Sequence, residues 1–143
     1  FGMSPRMRID LLVNDFTYRA FHDSAVIVFE GHFKRNYIHV RDVVSAFIYG
    51  INNFEKMKSE IFNVGLSDAN LSKLDLCKAI NKQLPNFTFV EEKIKQDPDQ
   101  RNYIVSNLKI EKTGFKPRYS IADGVKELIK GYTMIKNQNF GNI

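Results

Sequence analysis

The segment from Lys34 to Asp42 is rich in side chains that could bind a charged ligand. Arg35 stands in a predicted loop that leads into a strand, and its guanidinium offers a planar, permanently charged fork for a phosphate or a carboxylate. A solvated basic turn is an equally good interpretation of this spacing. His39 lies between apolar residues of the predicted strand, which is more typical of a hydrogen-bonded structural histidine than of a catalytic one.

A second loop that leads into a strand also carries an arginine. It runs from Asp97 to Tyr103 and contains Asp-Pro-Asp before Arg101, which is typical of a turn. Two such loops could bracket a diphosphate, with Arg35 and Arg101 each binding one phosphate. The alternative is a surface ion pair between Asp97 and Arg101, which would contribute little stability.

Metal and thiol chemistry find little support in the sequence. The three histidines lack metal-ligand spacing, and a single cysteine excludes a multi-cysteine zinc site. Cys77 lies on the apolar stripe of a predicted helix, where a small buried hydrophobe is the better interpretation. The eight glycines form neither G-x-G-x-x-G nor G-x-x-x-x-G-K-[ST]. We therefore predict no metal site.

The composition is that of a globular protein of about one domain. The 143 residues are 43% hydrophobic and 26% charged, with a net charge of +5. Apolar runs such as Ala25–Phe29 are too short to span a bilayer, and no leader pattern is found, so we expect a cytoplasmic protein. The basic balance permits a nucleic-acid-binding module, but the lysines are spread along the chain rather than clustered.

The apolar periodicity predicts alternating helices and strands, which favours an α/β arrangement. Ser72 with Asp75 predicts a capping box, and so does Ser120 with Asp123. Gly114 is expected to end a short helix in the left-handed conformation. Helices are predicted over 9–21, 42–51, 72–84, 108–113 and from 120 onward, and strands over 25–29, 36–40, 61–65, 87–90 and 103–105.

A set of short motifs runs in order along nearly the whole chain. They are Phe1–Arg6, Leu12–Phe16, Val26–Phe29, Arg35–Val43, Phe62–Gly65, and Asp97–Ile110 followed by Gly114–Pro117. In this order they resemble the C-terminal half of the NAD-dependent epimerase/dehydratase family, the extended short-chain dehydrogenases/reductases that modify nucleotide sugars. The segment from Arg35 is close to that family's RDYIHVDDV pattern, and the segment from Phe62 matches FNVG.

The resemblance implies the C-terminal part of a Rossmann-type α/β fold with a small mixed α/β substrate-binding subdomain. We expect one partial domain over 1–143. Residues of about 1–24 and 41–65 would belong to the NAD-binding sheet, and residues of about 25–40 and 66–136 to the substrate subdomain. The implied cofactor is NAD or NADP, bound mainly by an N-terminal half.

The resemblance also implies a set of substrate-binding residues. They are Asn14, Phe29, Arg35 and Arg101. The two arginines would bind the diphosphate, Asn14 would lie near the nucleotide, and Phe29 would lie against the base. Two residues depart from the family pattern: Glu30 stands where a glycine is usual, and Asn36 stands where the pattern has aspartate.

Catalysis in this family depends on its N-terminal half, which carries the glycine-rich NAD loop and a Tyr-x-x-x-Lys pair. We expect this chain to lack both, to be a piece of a longer protein, and to contain no catalytic residue. In the intact protein, hydride exchange between the sugar and the nicotinamide would lead to epimerisation, dehydration or reduction. The residues present would orient the substrate.

An absent N-terminal half would leave segments 41–51 and 61–65 without their strand neighbours. We therefore expect an open sheet edge and uncovered apolar helix faces, and a chain that pairs with its missing half or another polypeptide or is marginally stable. The intact protein is expected to be a homo-oligomer that binds a nucleotide-diphosphate sugar, and neither a membrane nor nucleic acid. The alternatives are a non-catalytic partner or regulatory fragment and a nucleic-acid-binding module.

Overall fold

The computed structural model describes residues 1–92 and 101–135. Its elements in chain order are α1 (Leu12–His22), β1 (Ala25–Phe29), β2 (Lys34–Asn36), α2 (Val40–Asn52), α3 (Phe54–Met57), β3 (Asn70–Ser72), α4 (Lys73–Asn81), β4 (Thr88–Glu92), α5 (Leu108–Glu111) and α6 (Ile121–Met134). This mixture of helices and strands confirms the predicted α/β class. In the described ranges, we find no helix with the length and apolar character needed to cross a membrane.

Two small two-stranded sheets organise the described chain. Strands β1 and β4 pair in parallel, with Ala25 opposite Thr88. Strands β2 and β3 pair antiparallel, with Arg35 opposite Leu71. One face of the parallel pair packs on the core, because Val28 of β1 is buried while its neighbour Ile27 points outward with 63% of its surface exposed.

The hydrophobic core lies among α1, α4, α6 and the inner face of β1. The helices present regularly spaced apolar side chains to one another, as their periodicity predicts. The most deeply buried of these include Val13 of α1, Leu76 and Ile80 of α4, and Val125 and Leu128 of α6. This core fixes the start of α1, which forms one wall of the site described below.

Both predicted capping boxes are confirmed. Ser72 Oγ accepts a hydrogen bond from the backbone N–H of Asp75 at 3.1 Å, and the carboxylate of Asp75 accepts from the backbone N–H of Ser72. Ser120 and Asp123 form the same reciprocal pair at the start of α6. The hydroxyl of each serine lowers the pKa of its aspartate partner. Gly114 has φ of +104°, which is the predicted left-handed turn.

The strand predicted over 36–40 is wrong in its position. Strand β2 ends at Asn36, and α2 begins at Val40. The reason is that His39 caps the helix: its Nδ1 accepts a hydrogen bond from the backbone N–H of Arg41 at 3.1 Å. Arg35 therefore lies in the middle of a strand, rather than in a loop that leads into one.

The strands predicted over 61–65 and 103–105 form no ladder in the described ranges. No described strand pairs with residues 61–64, and Ile61 is 86% exposed. Residues 103–105 are held instead by one hydrogen bond from Tyr103 to Lys34 and by two between Val105 and the side chain of Asn70. Two three- to four-residue elements, β3 and α3, were not expected, because such short elements depend on tertiary contacts rather than on local pattern.

One side of α2 has an apolar surface that no described residue covers. Val44 and Ile48 are each 53% exposed, and Phe47 and Ile51 are each 73% exposed. Phe47 and Ile51 are among the residues that line the apolar groove, a depression of about 650 Å³ whose other lining residues are 43, 46, 50, Phe54, Met57, 62–64 and 110. An uncovered apolar surface of this kind is typical of an interaction face.

Candidate functional site

Arg35 and Arg101 line the same cavity, although they are far apart in the sequence. This arginine cavity has a volume of about 470 Å³, which is within the usual range for small-ligand sites. Its wall is formed by Phe1, by residues 8 and 10–13 around the start of α1, by residues 35–38, and by Arg101 and Tyr103. The convergence of these two arginines is the geometry that a diphosphate site requires; their role as its ligands stays a prediction.

Hydrogen bonds to strand β2 hold the segment that carries Arg101. The backbone N–H of Lys34 donates to Asn102 Oδ1 at 3.0 Å, and the backbone N–H of Tyr103 donates to the Lys34 carbonyl at 3.3 Å. Further along, the side-chain amide of Asn70 both donates to and accepts from the backbone of Val105. These bonds place Arg101 beside Arg35 without a regular sheet.

The two arginines differ in their surroundings. Arg35 is only 6% exposed, and its Nη1 donates to the carbonyl of Lys34 at 3.0 Å. Its guanidinium carbon lies 5.3 Å from the centroid of the Tyr103 ring. Arg101 is exposed to solvent. Arg35 is therefore a fixed and buried group of the cavity wall, whereas the side chain of Arg101 is in contact with solvent.

A third arginine of the wall is balanced by an acid. Arg8 Nε donates to Asp10 Oδ1 at 3.1 Å, and this pair is exposed at the cavity's edge. The hydrogen bond from Arg8 lowers the pKa of Asp10. Among the described residues, the charged side chains of the wall are thus three arginines and one aspartate, with a formal charge of +2. Asp10 lies before α1 and not in its first turn, since the helix begins at Leu12.

Asn14 is buried next to the cavity rather than on its wall. Its side chain is 1% exposed, Oδ1 accepts from the backbone N–H of Gly2 at 3.1 Å, and Nδ2 donates to the carbonyl of Arg8 at 2.8 Å. Both polar atoms of the amide therefore have backbone partners. In this arrangement Asn14 tethers the loop of residues 1–8 to α1; direct contact with a nucleotide stays a prediction.

Phe29 lies at the end of β1, half-buried, and is not one of the residues that line the arginine cavity. Its carbonyl accepts a hydrogen bond from Lys73 Nζ at 2.8 Å, and Lys73 is itself 3% exposed. The predicted contact between Phe29 and a nucleotide base stays a prediction.

The two departures from the family pattern have structural consequences. Glu30 has φ of +46°, the left-handed region that glycine occupies at no steric cost, so the usual glycine is understandable here. Asn36 Nδ2 donates to the carbonyl of Leu66 at 2.7 Å, a bond that an ionised aspartate cannot make. The Asn36 amide also fills the space beside Gly65, where an added Cβ would collide with Asn36 Oδ1.

The expectation that the chain lacks a Tyr-x-x-x-Lys pair is wrong as a statement about spacing. Tyr132 is followed four residues later by Lys136, which lies outside the described residues. Tyr132 is 3% exposed, and its hydroxyl donates to the carbonyl of Asn14 at 3.0 Å. Burial raises the pKa of Tyr132. This hydroxyl joins α6 to α1, and no substrate can reach it in this arrangement.

The sequence pattern predicts no site role for Arg8, Asp10 or Tyr103. A signal for Tyr103 was present, because residues two apart in an extended segment face the same side, and Tyr103 follows Arg101 by two. Arg8 and Asp10 carried no comparable signal. Their place on the wall depends on how the loop before α1 turns, and Asn14 fixes that turn through the carbonyl of Arg8.

Comparison with known sequences identifies a family match. Residues 2–65 match the sequence model of the NAD dependent epimerase/dehydratase family. The chain is 25% identical to an uncharacterised protein of Schizosaccharomyces pombe, over 87% of this chain and 40% of that protein. It is 27% identical to dTDP-D-glucose 4,6-dehydratase of Mus musculus, over 76% of this chain and 31% of that enzyme. The chain therefore spans less than half the length of these curated relatives.

Solved structures share the fold. UDP-glucose 4-epimerase of Thermotoga maritima with UDP-glucose matches 93% of this chain and 43% of its own, with a TM-score of 0.71 and 25% identity. The dTDP-glucose 4,6-dehydratase of Bacillus anthracis in complex with NAD matches 99% of this chain and 44% of its own, with a TM-score of 0.71 and 18% identity. The fold is thus that of part of a Rossmann-type extended short-chain dehydrogenase/reductase, as predicted.

Proposed function

We propose that the chain is the substrate-binding half of an enzyme of the NAD-dependent epimerase/dehydratase family that acts on a nucleotide-diphosphate sugar, because residues 2–65 match that family's model. The observation that carries this proposal is the presence of Arg35 and Arg101 on the wall of one cavity. A guanidinium binds a phosphate through paired N–H donors, so two of them suit two linked phosphates.

The charge of the arginine cavity supports a dianionic ligand. The charged side chains that the structure describes on its wall sum to +2, which complements the two negative charges of a diphosphate ester. Arg35, fixed on the wall, would bind one phosphate with little loss of side-chain freedom. Arg101, exposed at the surface, would bind the other as the ligand enters. Together they would hold the sugar in one orientation, which is how a binding half contributes to catalysis.

The residues of this chain do not fit the nicotinamide cofactor by themselves. The sequence has no G-x-G-x-x-G loop, and the tyrosine with a lysine four residues on is buried and donates to Asn14. We therefore assign NAD or NADP binding, and the choice among epimerisation, dehydration and reduction, to residues outside these 143. Within this chain the proposed roles are substrate binding and orientation.

We further propose that the apolar groove beside α2 packs against the family's N-terminal, NAD-binding half, in the same polypeptide or in another chain. Phe47 and Ile51 are the most exposed apolar side chains of α2. Residues 62–64 line the groove, and no described strand pairs with them. An apolar helix face beside a segment that lacks a described strand partner is a surface that a sheet layer would cover.

The arginine cavity is tested by calorimetric titration of the chain with UDP, GDP, CDP and dTDP, each compared with its nucleoside. We expect at least one diphosphate to bind saturably and its nucleoside to bind far more weakly. Arg35→Ala and Arg101→Ala should each lower the affinity about tenfold or more, since a hydrogen bond to a charged group contributes about 1.5–3 kcal/mol.

The matched control is Arg19→Ala, which removes an exposed arginine of α1 that pairs with Asp15 away from the cavity. It should leave the affinity unchanged. Equal binding of a nucleoside and its diphosphate, or full affinity in both cavity variants, would contradict the proposal. Binding to RNA or DNA that is indifferent to sequence and falls steeply with salt would favour the nucleic-acid-binding alternative instead.

A further inference from the structure

We propose that Tyr103 is a positioning residue that holds Arg35 in place for a phosphate, a proposal that rests on the function proposed for the arginine cavity. The guanidinium carbon of Arg35 lies 5.3 Å from the centroid of the Tyr103 ring. Both residues line the cavity. Arg35 is 6% exposed and Tyr103 is 42% exposed, so the ring lies on the outside of the pair and covers the guanidinium.

The ring acts together with a backbone contact. Arg35 Nη1 donates to the carbonyl of Lys34, and the backbone N–H of Tyr103 donates to the same carbonyl. One oxygen therefore fixes both the guanidinium and the residue that covers it. A guanidinium packed on an aromatic face keeps its N–H donors in its own plane, which is the geometry in which a guanidinium binds a phosphate through paired donors.

The electrostatics favour this arrangement over a free arginine. The face of an aromatic ring is negative and attracts the cation, more strongly where water is partly excluded. A free arginine would lose rotamer freedom when it binds a phosphate, whereas a held one has lost most of it already. Tyr103 therefore increases the affinity for the phosphate without contacting it.

The position of Tyr103 also links the two arginines. Tyr103 lies two residues after Arg101 on a segment that β2 holds through Lys34 and Asn102. The same segment carries both groups, with Arg101 on the wall of the cavity and the Tyr103 ring packed on Arg35. A change that displaces this segment would therefore affect both phosphate-binding groups.

The test uses inorganic pyrophosphate as the probe, because it carries the diphosphate without a base or a sugar. Tyr103→Leu removes the ring face and Tyr103→Phe retains it, and both changes are at a partly exposed position. We expect Tyr103→Leu to lower pyrophosphate affinity about 2- to 10-fold and Tyr103→Phe to leave it unchanged. In an Arg35→Ala background, Tyr103→Leu should have no further effect.

A second readout reports the pair without any ligand. The ring should shift the Arg35 Nε–H proton resonance upfield in the nuclear magnetic resonance spectrum, in the unmodified chain and in Tyr103→Phe but not in Tyr103→Leu. The matched control is Tyr119→Leu, which removes a similar pair in which the Arg41 guanidinium carbon lies 5.5 Å from the Tyr119 ring. This control should change neither the Arg35 resonance nor the pyrophosphate affinity.

The outcomes separate the two proposals. An Arg35 resonance that is the same in Tyr103→Leu overturns the positioning role even if pyrophosphate binds normally. An equal loss of affinity from Tyr103→Leu with and without Arg35 also overturns it, because the ring would then act on the ligand by another route. If the unmodified chain binds no pyrophosphate while the Arg35 resonance still depends on the ring, the proposed function fails and the pair is merely structural.

Discussion

The arginine cavity and the apolar groove beside α2 differ in how completely the described residues hydrogen-bond and cover one another. Around the cavity, the polar groups that hold the wall have protein partners: Asn14 binds two backbone groups, and Asn70 binds two more. Around the groove, Phe47 and Ile51 have 73% of their surfaces in solvent. Hydrogen bonds within the protein hold the first region in shape, whereas the second region leaves an apolar surface in contact with solvent.

Helix α2 lines the groove and not the cavity, and its first turn differs from its outward face. Its first turn is anchored, because the fully buried carboxylate of Asp42 accepts hydrogen bonds from the backbone N–H groups of Arg118 and Tyr119. Its outward face carries the exposed apolar side chains. The difference teaches that the chain's own fold fixes where α2 starts, while the described residues leave its outward face uncovered.

The largest expected effect is at Gly65, beside the cavity. Gly65→Ala would place a Cβ against Asn36 Oδ1, which is itself held by the hydrogen bond from its amide to Leu66. We expect the free energy of unfolding in urea to fall by about 3 kcal/mol. Gly50→Ala is the matched control on α2, where an added Cβ meets nothing within 4 Å; it should be neutral or stabilise by about 0.5–1 kcal/mol. Equal effects of the two changes would contradict the comparison.

The next effect is at the anchored end of α2. Asp42→Asn replaces one acceptor oxygen with a donor that faces a backbone N–H, so a buried polar group loses its partner. We expect a loss of about 2 kcal/mol in the free energy of unfolding. Asp68→Asn, at an exposed position, should change it by less than about 0.5 kcal/mol. An Asp42 variant as stable as the Asp68 variant would show that this anchor does not hold α2.

A smaller effect on the free energy of unfolding is expected when the pH is lowered. Burial lowers the pKa of His39, although Glu127 opposes the shift and the chain's terminal ammonium group and Arg41 reinforce it. The unfolded chain then binds more protons than the folded chain below a pH of about 6.5, so stability is complete above that pH and falls as the pH drops through the folded pKa.

His39→Asn tests this pH dependence, since asparagine also caps helices well but does not titrate. The variant should lose less stability between pH 7 and pH 5 than the unmodified chain, as measured by urea unfolding at each pH. His32→Asn, at an exposed position, is the control and should retain the full dependence. Identical pH profiles for the unmodified chain and both variants would show that His39 does not cause the pH dependence of stability.

The smallest expected effect on stability is at the groove. Phe47→Lys should change the free energy of unfolding by less than about 0.5 kcal/mol, because its side chain is 73% exposed. The same change should reduce self-association of the chain, followed by sedimentation velocity, because it puts a charge on the apolar face. Phe16→Ala on α1, where Phe16 is 6% exposed, should instead cost about 3–5 kcal/mol. A large loss of stability from Phe47→Lys would mean that this face is already covered.

Local sequence signals were sufficient for some elements. Ser72 and Ser120 each precede an aspartate by three residues and an apolar stripe, and both form the capping boxes that this pattern predicts. The continuous β-branched run of β1 is likewise a strand with the predicted bounds, although only one of its faces is buried. Residues that are close in the sequence determine these elements, so the sequence alone is enough to predict them.

Other elements depend on partners that local pattern cannot identify. Residues 61–65 have a strand's composition but no described strand beside them, and β3 is a strand only because Leu71 faces Arg35. The convergence of Arg35 and Arg101 was proposed as one of two interpretations of the spacing, and the resemblance to a family then favoured it. The physical basis of this convergence is the set of hydrogen bonds between Lys34 and residues 102 and 103. These bonds join segments that are distant in the sequence.

The most direct test of the central claim is a crystal structure of the chain grown with a saturating nucleoside diphosphate. We predict density for two linked phosphates in the arginine cavity, with one phosphate within hydrogen-bond distance of Arg35 and the other of Arg101. Density for the diphosphate elsewhere on the molecule, or in the cavity with neither arginine in contact, would contradict the claim that this cavity is a nucleotide-diphosphate-sugar site.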